Sequence, residues 1–217
     1  MRTARLKPED GSYYHLMNRV AGEKRFFPFG HTEKLMFLEI MNKYLKLYKL
    51  ELLSYCIMSN HYHLVLYSPN KIKASEVQER WHNFYGQTKG HFHPKPLWES
   101  QKIVDKWSHR LSDISDFIKV VQQSFTSWYN RTHNRRGHFW ADRFKSVILG
   151  GGSSLLRCIK YVELNPLRAG ILDENKNYFY SSYGLYKSSQ KHPLGENLKK
   201  HLQIAFNDKS KHLIRNF

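Results

Sequence analysis

Residues 54–67 constrain the fold more than any other segment, because they predict two strands joined by a tight turn at residues 59–60. His61 and His63 begin the second of these strands. Alternate residues of a strand face the same side about 6.6 Å apart, so both imidazoles project together while Leu64 faces the opposite side. Such a pair suits a divalent cation, although two ordinary histidines on the polar face of a strand would show the same spacing.

The composition favours a folded domain that binds a polyanion. The chain has 217 residues, of which 41% are hydrophobic, enough for a core of its own. Lys and Arg number 35 against 18 Asp and Glu, and the formal charge of +17 makes nucleic acid the expected partner. No apolar run approaches the roughly 18 residues that span a bilayer and no signal-peptide pattern opens the sequence, so we expect no membrane partner. Cys56 and Cys158 are too few for a disulfide framework or a thiolate zinc site, which indicates a reducing, cytoplasmic location, beside the nucleoid if the partner is DNA.

Hydrophobic periodicity predicts strands and helices along the chain. The predicted strands are residues 12–19, a hairpin within 51–67, and 138–149. The predicted helices are, in chain order, 32–48 with Thr32 as N-cap, 75–89, 113–131, one capped by Ser153 or Ser154 that ends before Pro166, and a short one at 197–206. A second pair, His91 and His93, falls in a proline-containing loop and is not expected to bind metal.

Tyr161 and Asn165 lie four residues apart, at the border of the apolar face of the helix predicted over residues 154–165. Side chains at this spacing are stacked neighbours, so a phenol and a carboxamide can address one small volume. Above the two histidines they would complete a phosphoryl-transfer site with a nucleophile, two nitrogen ligands and an oxygen ligand. A tyrosine packed in the core with its hydroxyl hydrogen-bonded would give the same pattern.

Charged residues close to Tyr161 bear on this interpretation. An attacking phenol must lose its proton, which costs free energy at neutral pH, so cations are needed nearby, and Arg157, Lys160 and Arg168 are the candidates. Glu163 falls on the apolar side of the same helix, where a lone carboxylate is costly. We predict an arginine partner for it, with Arg143 as the first choice.

Tyr129 is the competing nucleophile, because it lies on a predicted helix beside a basic run. Its neighbour Asn130 is adjacent to it, so the two side chains cannot share a helix face. Tyr161 is therefore the preferred nucleophile.

The densest basic cluster flanks Trp140 and is expected to contact phosphates, although a solvated charged surface is the alternative. It consists of Arg131, Arg135, Arg136, Arg143 and Lys145.

Four sequence motifs resemble the single-tyrosine HUH transposases, and most of all the REP-associated tyrosine transposases. They are Ser12-Tyr-Tyr-His-Leu-Met-Asn-Arg19, Met58-Ser-Asn-His-Tyr-His-Leu-Val65, Gly137-His-Phe-Trp-Ala-Asp-Arg-Phe-Lys-Ser146 and Tyr161-Val-Glu-Leu-Asn-Pro-Leu-Arg-Ala-Gly170. The resemblance implies an α+β, ferredoxin-like fold with a central antiparallel sheet flanked by helices. It also implies metal-dependent nicking and joining of single-stranded DNA, on hairpins of the REP type.

In that family pattern, His61 and His63 match the metal ligands, Asn165 the polar side chain that completes the metal site, and Tyr161 the nucleophile that forms a 5′-phosphotyrosine. Mg²⁺ or Mn²⁺ is the cation that such a ligand set favours. Together with Trp140 and the basic cluster, Arg19 and Arg168 are the residues expected to contact DNA.

The resemblance predicts a domain over residues 1–186, with residues 71–112 as a possible recognition insertion and 187–217 as a basic tail. We expect a monomer or a homodimer. Two other functions fit the sequence. One is a DNA-hairpin-binding protein without chemistry, and the other is an RNA-directed phosphodiesterase with a histidine pair, which would need a second histidine motif and no tyrosine.

Overall fold

The computed structural model describes residues 11–23, 26–69, 71–86, 96, 98–171 and 177–206. These residues form four strands and eight helices, in the order β1 (Ser12–Arg19), α1 (His31–Leu47), β2 (Glu51–Ile57), β3 (His61–Ser68), α2 (Ala74–Tyr85), α3 (Gln101–Leu111), α4 (Ile114–Thr132), β4 (Lys145–Leu149), α5 (Ser153–Glu163), α6 (Asn165–Arg168), α7 (Ser182–Ser189) and α8 (Gly195–Phe206). None of these helices combines the length and the hydrophobicity needed to cross a bilayer.

The strands form one sheet in the order β2-β3-β1-β4, and each neighbouring pair is antiparallel. β2 and β3 are a hairpin whose turn is closed by the Met58 N–H, which donates to the His61 carbonyl at 2.8 Å. In the register, Arg19 lies opposite His61, and Cys56 lies opposite His63. The predicted α+β fold with a central antiparallel sheet is confirmed.

One face of the sheet packs against α1 and α4 and holds the larger apolar cluster. Tyr62, Leu64 and Leu66 of β3 alternate onto this face, where they meet Phe37 of α1 and Phe125 of α4. All five side chains are fully buried. Because strand residues alternate between faces, their burial turns His61 and His63 toward the opposite side.

The second face is covered by α5 and α8. Leu198 and Leu202 of α8 join its apolar cluster, and three polar contacts fix the helix beside β2. The Nε2 atom of His201 lies 3.0 Å from a Glu51 carboxylate oxygen, its Nδ1 lies 3.1 Å from the Tyr13 hydroxyl, and Lys200 donates to Glu51 at 3.0 Å. The region predicted as a basic tail thus contributes a helix to this layer.

Several predicted elements begin or end elsewhere. α4 starts as predicted, with the Asp113 carboxylate capping the N–H groups of residues 115 and 116. α1 begins at His31 after Gly30, so Thr32 lies inside the helix and is not its N-cap. Of the strand predicted over 138–149, only residues 145–149 form one, and Trp140 makes an isolated bridge to Val20.

Residues 71–112 contain α2 and α3, of which only α2 was predicted. α2 packs against α1 and α3, and α3 packs against α4. Trp98 links the two helices, because its ring centroid lies 6.0 Å from Trp81 and 6.3 Å from Trp107. The loop pair at positions 91 and 93, the end of the helix predicted to residue 89, and residues 207–217 lie outside the described residues.

Candidate active site

The histidine pair lies at the start of β3, in the middle of the sheet. The ring centroids of His61 and His63 are 5.2 Å apart, with the rings nearly perpendicular. The Nδ1 atom of His61 lies 2.7 Å from the side-chain oxygen of Asn60, in the β2–β3 turn. If Nδ1 donates to that oxygen, the Nε2 atom of His61 keeps a free lone pair.

His15 of β1 completes the group, and the sequence reasoning did not select it. Its Nε2 atom lies 3.0 Å from the Nδ1 atom of His63, and the two rings stack with centroids 5.1 Å apart. His15 is 7% exposed. Alternation along residues 12–19 could have shown that His15 shares a face with Arg19, but only the pairing register with β3 places it beside His63.

Tyr161 reaches the histidines from α5. Leu155, Ile159 and Val162 of α5 are fully buried against the second face of the sheet. This packing places Tyr161, on the same helix, beside His15 and His63. The Tyr161 ring lies 5.6 Å from the His63 ring and contacts it edge-on. The phenol therefore stands beside the histidine pair, with 38% of the residue exposed to solvent.

Asn165 opens the short helix α6, which follows α5 after Leu164. Pro166 has no N–H to continue the hydrogen-bond ladder of α5, so the helix ends as predicted before the proline. The Asn165 side chain interacts with His61. Arg168, one turn later, holds its guanidinium 5.2 Å from the centroid of the Tyr161 ring.

Burial dominates the electrostatics of the three imidazoles. It lowers the pKa of His15, and it lowers that of His61 against an opposing hydrogen bond to Asn165. Burial, together with the neighbouring His15 and His61, lowers the pKa of His63 to about 3. All three rings are therefore neutral at pH 7, the state in which an imidazole nitrogen can bind a metal ion.

Glu163 anchors α5 through a polar network, and the prediction of an arginine partner for it is wrong. Its Oε1 atom accepts hydrogen bonds from the hydroxyls of Ser182 at 2.8 Å and Ser54 at 3.2 Å, and lies 3.2 Å from Nε2 of His192. Arg143 is exposed in the segment before β4. The helical wheel placed Glu163 correctly on the buried side, where it is 5% exposed, but its partners come from β2, α7 and the segment after α7.

Comparison with known proteins found a matching family model and a similar solved structure. A family model described as Transposase IS200 like matches residues 10–93, which include β1 and the histidine pair. A solved structure, of a REP-associated tyrosine transposase bound to a REP hairpin, aligns with a TM-score of 0.56 over 89% of this chain and 90% of that one, at 11% identity. A comparison with curated proteins found no match. The predicted resemblance to the tyrosine transposases is confirmed.

The competing tyrosine lies on the other face of the sheet. Tyr129 belongs to the larger apolar cluster, and its ring stacks on His133 at 4.1 Å and packs on Phe139 at 4.5 Å. Burial raises its pKa, which disfavours the phenolate that a nucleophile needs. The geometry therefore favours Tyr161.

The residues predicted to contact DNA lie near the strand ends or between α4 and β4. Trp140 is half-buried against the larger cluster, with its ring 5.5 Å from Tyr62, and Arg135 is half-buried 5.8 Å from the Tyr129 ring. Arg19 is exposed at the end of β1 opposite His61. The other exposed members are Arg131, Arg136, Arg143, Lys145 and Arg168. Contact with DNA stays a prediction for all of them.

The donor set predicted from the sequence fits a divalent cation. Metal-ligating histidines usually engage their second ring nitrogen in a hydrogen bond, and His61 does so with Asn60 while His63 does so with His15. Two neutral imidazoles and the Asn165 carboxamide suit Mg²⁺ or Mn²⁺. The part of the chain that the structure describes holds no cluster of three or more His, Cys, Asp or Glu side chains suited to a metal. Asn165 as the third donor stays a prediction.

Proposed function

We propose that this chain cleaves and rejoins single-stranded DNA through a covalent bond to Tyr161. The observation that carries the proposal is the approach of the Tyr161 ring to within 5.6 Å of the His63 ring, beside the interaction of Asn165 with His61. Residues more than 90 positions apart in the sequence converge on one small volume. The arrangement supplies a nucleophile next to a metal-binding donor set.

The reaction is a transesterification. The phenolic oxygen of Tyr161 forms a bond to the scissile phosphorus as the bond to the 3′ oxygen breaks. The phenolic proton passes to solvent, and the departing 3′ oxygen takes up a proton. The products are a 5′-phosphotyrosine and a 3′-hydroxyl end. A second 3′-hydroxyl reverses the step and joins strands, and because the phosphodiester energy is retained, no nucleotide cofactor is consumed.

Charge around the phenol favours this step. Arg168 lies over the Tyr161 ring, and Arg19 stands opposite His61 at the end of β1, so both can hold phosphate oxygens and stabilise a developing phenolate. A divalent cation bound by His61, His63 and Asn165 would supply further neutralisation of the scissile phosphate. The buried face of α5 and the hydrogen bonds of Glu163 hold this helix in place, and so keep the Tyr161 ring beside His63.

We propose a DNA hairpin with a single-stranded flank as the substrate. The aligned solved structure holds a REP hairpin, and the formal charge of +17 suits a polyanion of that size. If about six to ten phosphates are neutralised, affinity should fall on the order of a thousandfold or more between 50 and 200 mM salt. A flat salt dependence would contradict this mode of binding.

The decisive experiment traps the covalent intermediate. Labelled single-stranded hairpin DNA is incubated with protein and Mn²⁺, denatured, and separated to reveal protein that carries DNA. The wild type and Tyr129→Phe should give the band, whereas Tyr161→Phe, His61→Ala and His63→Ala should not. An adduct that persists in Tyr161→Phe would overturn the assignment. Hairpin binding with no adduct from the wild type would instead support a non-catalytic binding protein.

A further inference from the structure

We propose that His15 is a positioning residue, which holds His63 in the tautomer and ring orientation that binding of a divalent cation requires. The inference rests on the proposed function, because it concerns the same site. It adds to that function a residue on a second strand, outside the donor set and the nucleophile.

The hydrogen bond between Nε2 of His15 and Nδ1 of His63 contains a single proton. Their nitrogens are 3.0 Å apart, so one of the two must donate and the other accept. If His63 offers its Nε2 lone pair to a cation, its own proton must sit on Nδ1 and be donated to Nε2 of His15. His15 then carries its proton on Nδ1. The hydrogen bond thereby selects one tautomer of each ring.

The β1–β3 pairing makes this contact rigid. Met17 is the register partner of His63, and Val65 is that of His15, so the two histidines sit on a diagonal of the same sheet face. His15 and His63 are 7% and 6% exposed, and their rings stack with an interplanar angle of 27°. Burial leaves little water to replace the bond, so a lost acceptor would leave the Nδ1 proton of His63 unpaired.

His61, like His63, has a hydrogen-bond partner on its Nδ1 atom. Its Nδ1 atom has an acceptor of its own, the side-chain oxygen of Asn60 at 2.7 Å. The Nδ1 atom of each of the two histidines thus has a hydrogen-bond partner, which leaves Nε2 as the nitrogen that would bind a cation. For His61 the partner is its neighbour in sequence, whereas for His63 it comes from the adjacent strand.

The test compares Mn²⁺ affinity without DNA, by titration with electron paramagnetic resonance of the free ion. His15→Leu removes the acceptor, and loss of such an outer partner typically weakens metal affinity about 10- to 100-fold. His15→Gln can return an oxygen acceptor near the position of Nε2 and should retain most of the affinity. His201→Leu is the matched control, because His201 is also buried on this face but pairs with Glu51 and Tyr13. It should bind Mn²⁺ as the wild type does.

A His15→Leu protein that binds Mn²⁺ as tightly as the wild type would overturn the inference. Nitrogen-15 NMR of the metal-free wild type provides an independent readout that does not depend on the folding of a variant. A proton on Nδ1 of His63 is expected, and a proton on Nε2 would overturn the inference. A wild type that shows the Nδ1 proton but binds no Mn²⁺ would leave the positioning contact intact and reject the proposed function.

Discussion

The face of the sheet that packs against α1 and α4 is closed by apolar rings, whereas the face that carries the histidines is closed partly by hydrogen-bonded polar groups. On the first face, the Phe37 ring lies 4.9 Å from Tyr62 and 5.4 Å from Phe125. On the second, Glu163 and His201 each hold a helix through polar contacts. Alternate residues of the same strands form the two faces, so a side chain can be truncated on one face without removing a contact on the other.

The largest loss of stability is expected from Phe37→Ala. Phe37 is fully buried and contacts four other aromatic rings, so its truncation leaves a cavity and should lower the free energy of unfolding by about 3–5 kcal/mol. Urea denaturation measures the change. Leu35→Ala on the same helix is the control, because Leu35 is 48% exposed and its loss should be close to neutral. Equal losses from the two variants would contradict the division into faces.

A smaller loss is expected from Glu163→Ala on the opposite face. Removing the carboxylate leaves the hydroxyls of Ser54 and Ser182 and the ring of His192 without their acceptor, at a cost of about 1–3 kcal/mol. Glu163→Gln keeps an oxygen in place and should lose less. Covalent-adduct assays on the same proteins should show a reduced yield for the alanine variant, because α5 carries Tyr161. Unchanged stability and yield would show that the network does not hold α5.

Acid should lower the stability of the folded protein through the buried His63. The pKa of His63 in the folded protein is lowered to about 3, mainly by burial, whereas an unfolded histidine titrates near 6.5. The unfolded chain therefore binds the proton first, so the free energy of unfolding of the metal-free protein should fall as the pH drops from about 6.5 toward 3. His63→Gln should make the fall shallower, while Phe37→Ala should displace the whole curve and leave its slope unchanged. Equal slopes in the wild type and His63→Gln would refute this.

The smallest effect is expected from Lys200→Ala. Lys200 contacts both carboxylate oxygens of Glu51 at 3.0 Å, but its side chain is 54% exposed, and solvent screens such pairs to about 1 kcal/mol or less. The remaining difference from the wild type should shrink at high salt. A large, salt-independent loss of stability would mean that the Lys200–Glu51 ion pair, and not the buried contact of His201 with Glu51, holds α8 against the sheet.

Local periodicity was enough to predict the hairpin with its two histidines, the apolar face of α5 and the start of α4. Each of these depends on residues close together in sequence. The predicted N-caps were wrong, because Thr32 and Ser153 or Ser154 lie inside helices that begin after Gly30 and Gly152. The end of α5 before Pro166 was equally predictable, because the missing N–H of proline acts on the turn that precedes it.

The remaining features depend on packing between distant segments. His15 meets His63 only through the register of β1 on β3, and Glu163 meets His192 only because the segment after α7 folds back onto α5. The strand predicted from residue 138 forms only from residue 145, because the segment before it is limited to the isolated bridge between Trp140 and Val20 while Phe139 and Phe144 are buried in the core. No sequence pattern specifies such long-range choices.

The place of α8 in the chain has a consequence for how the molecule is made. Its contacts with Tyr13 and Glu51 close loops of 188 and 150 residues, whereas α1 lies beside the strands in sequence. As the chain emerges from the ribosome, the first face can be covered by α1 and α4, but the part of the second face that α8 covers stays open until residues 195–206 arrive. During that interval, the apolar surface of the sheet beneath α8 is available for aggregation and for binding by chaperones.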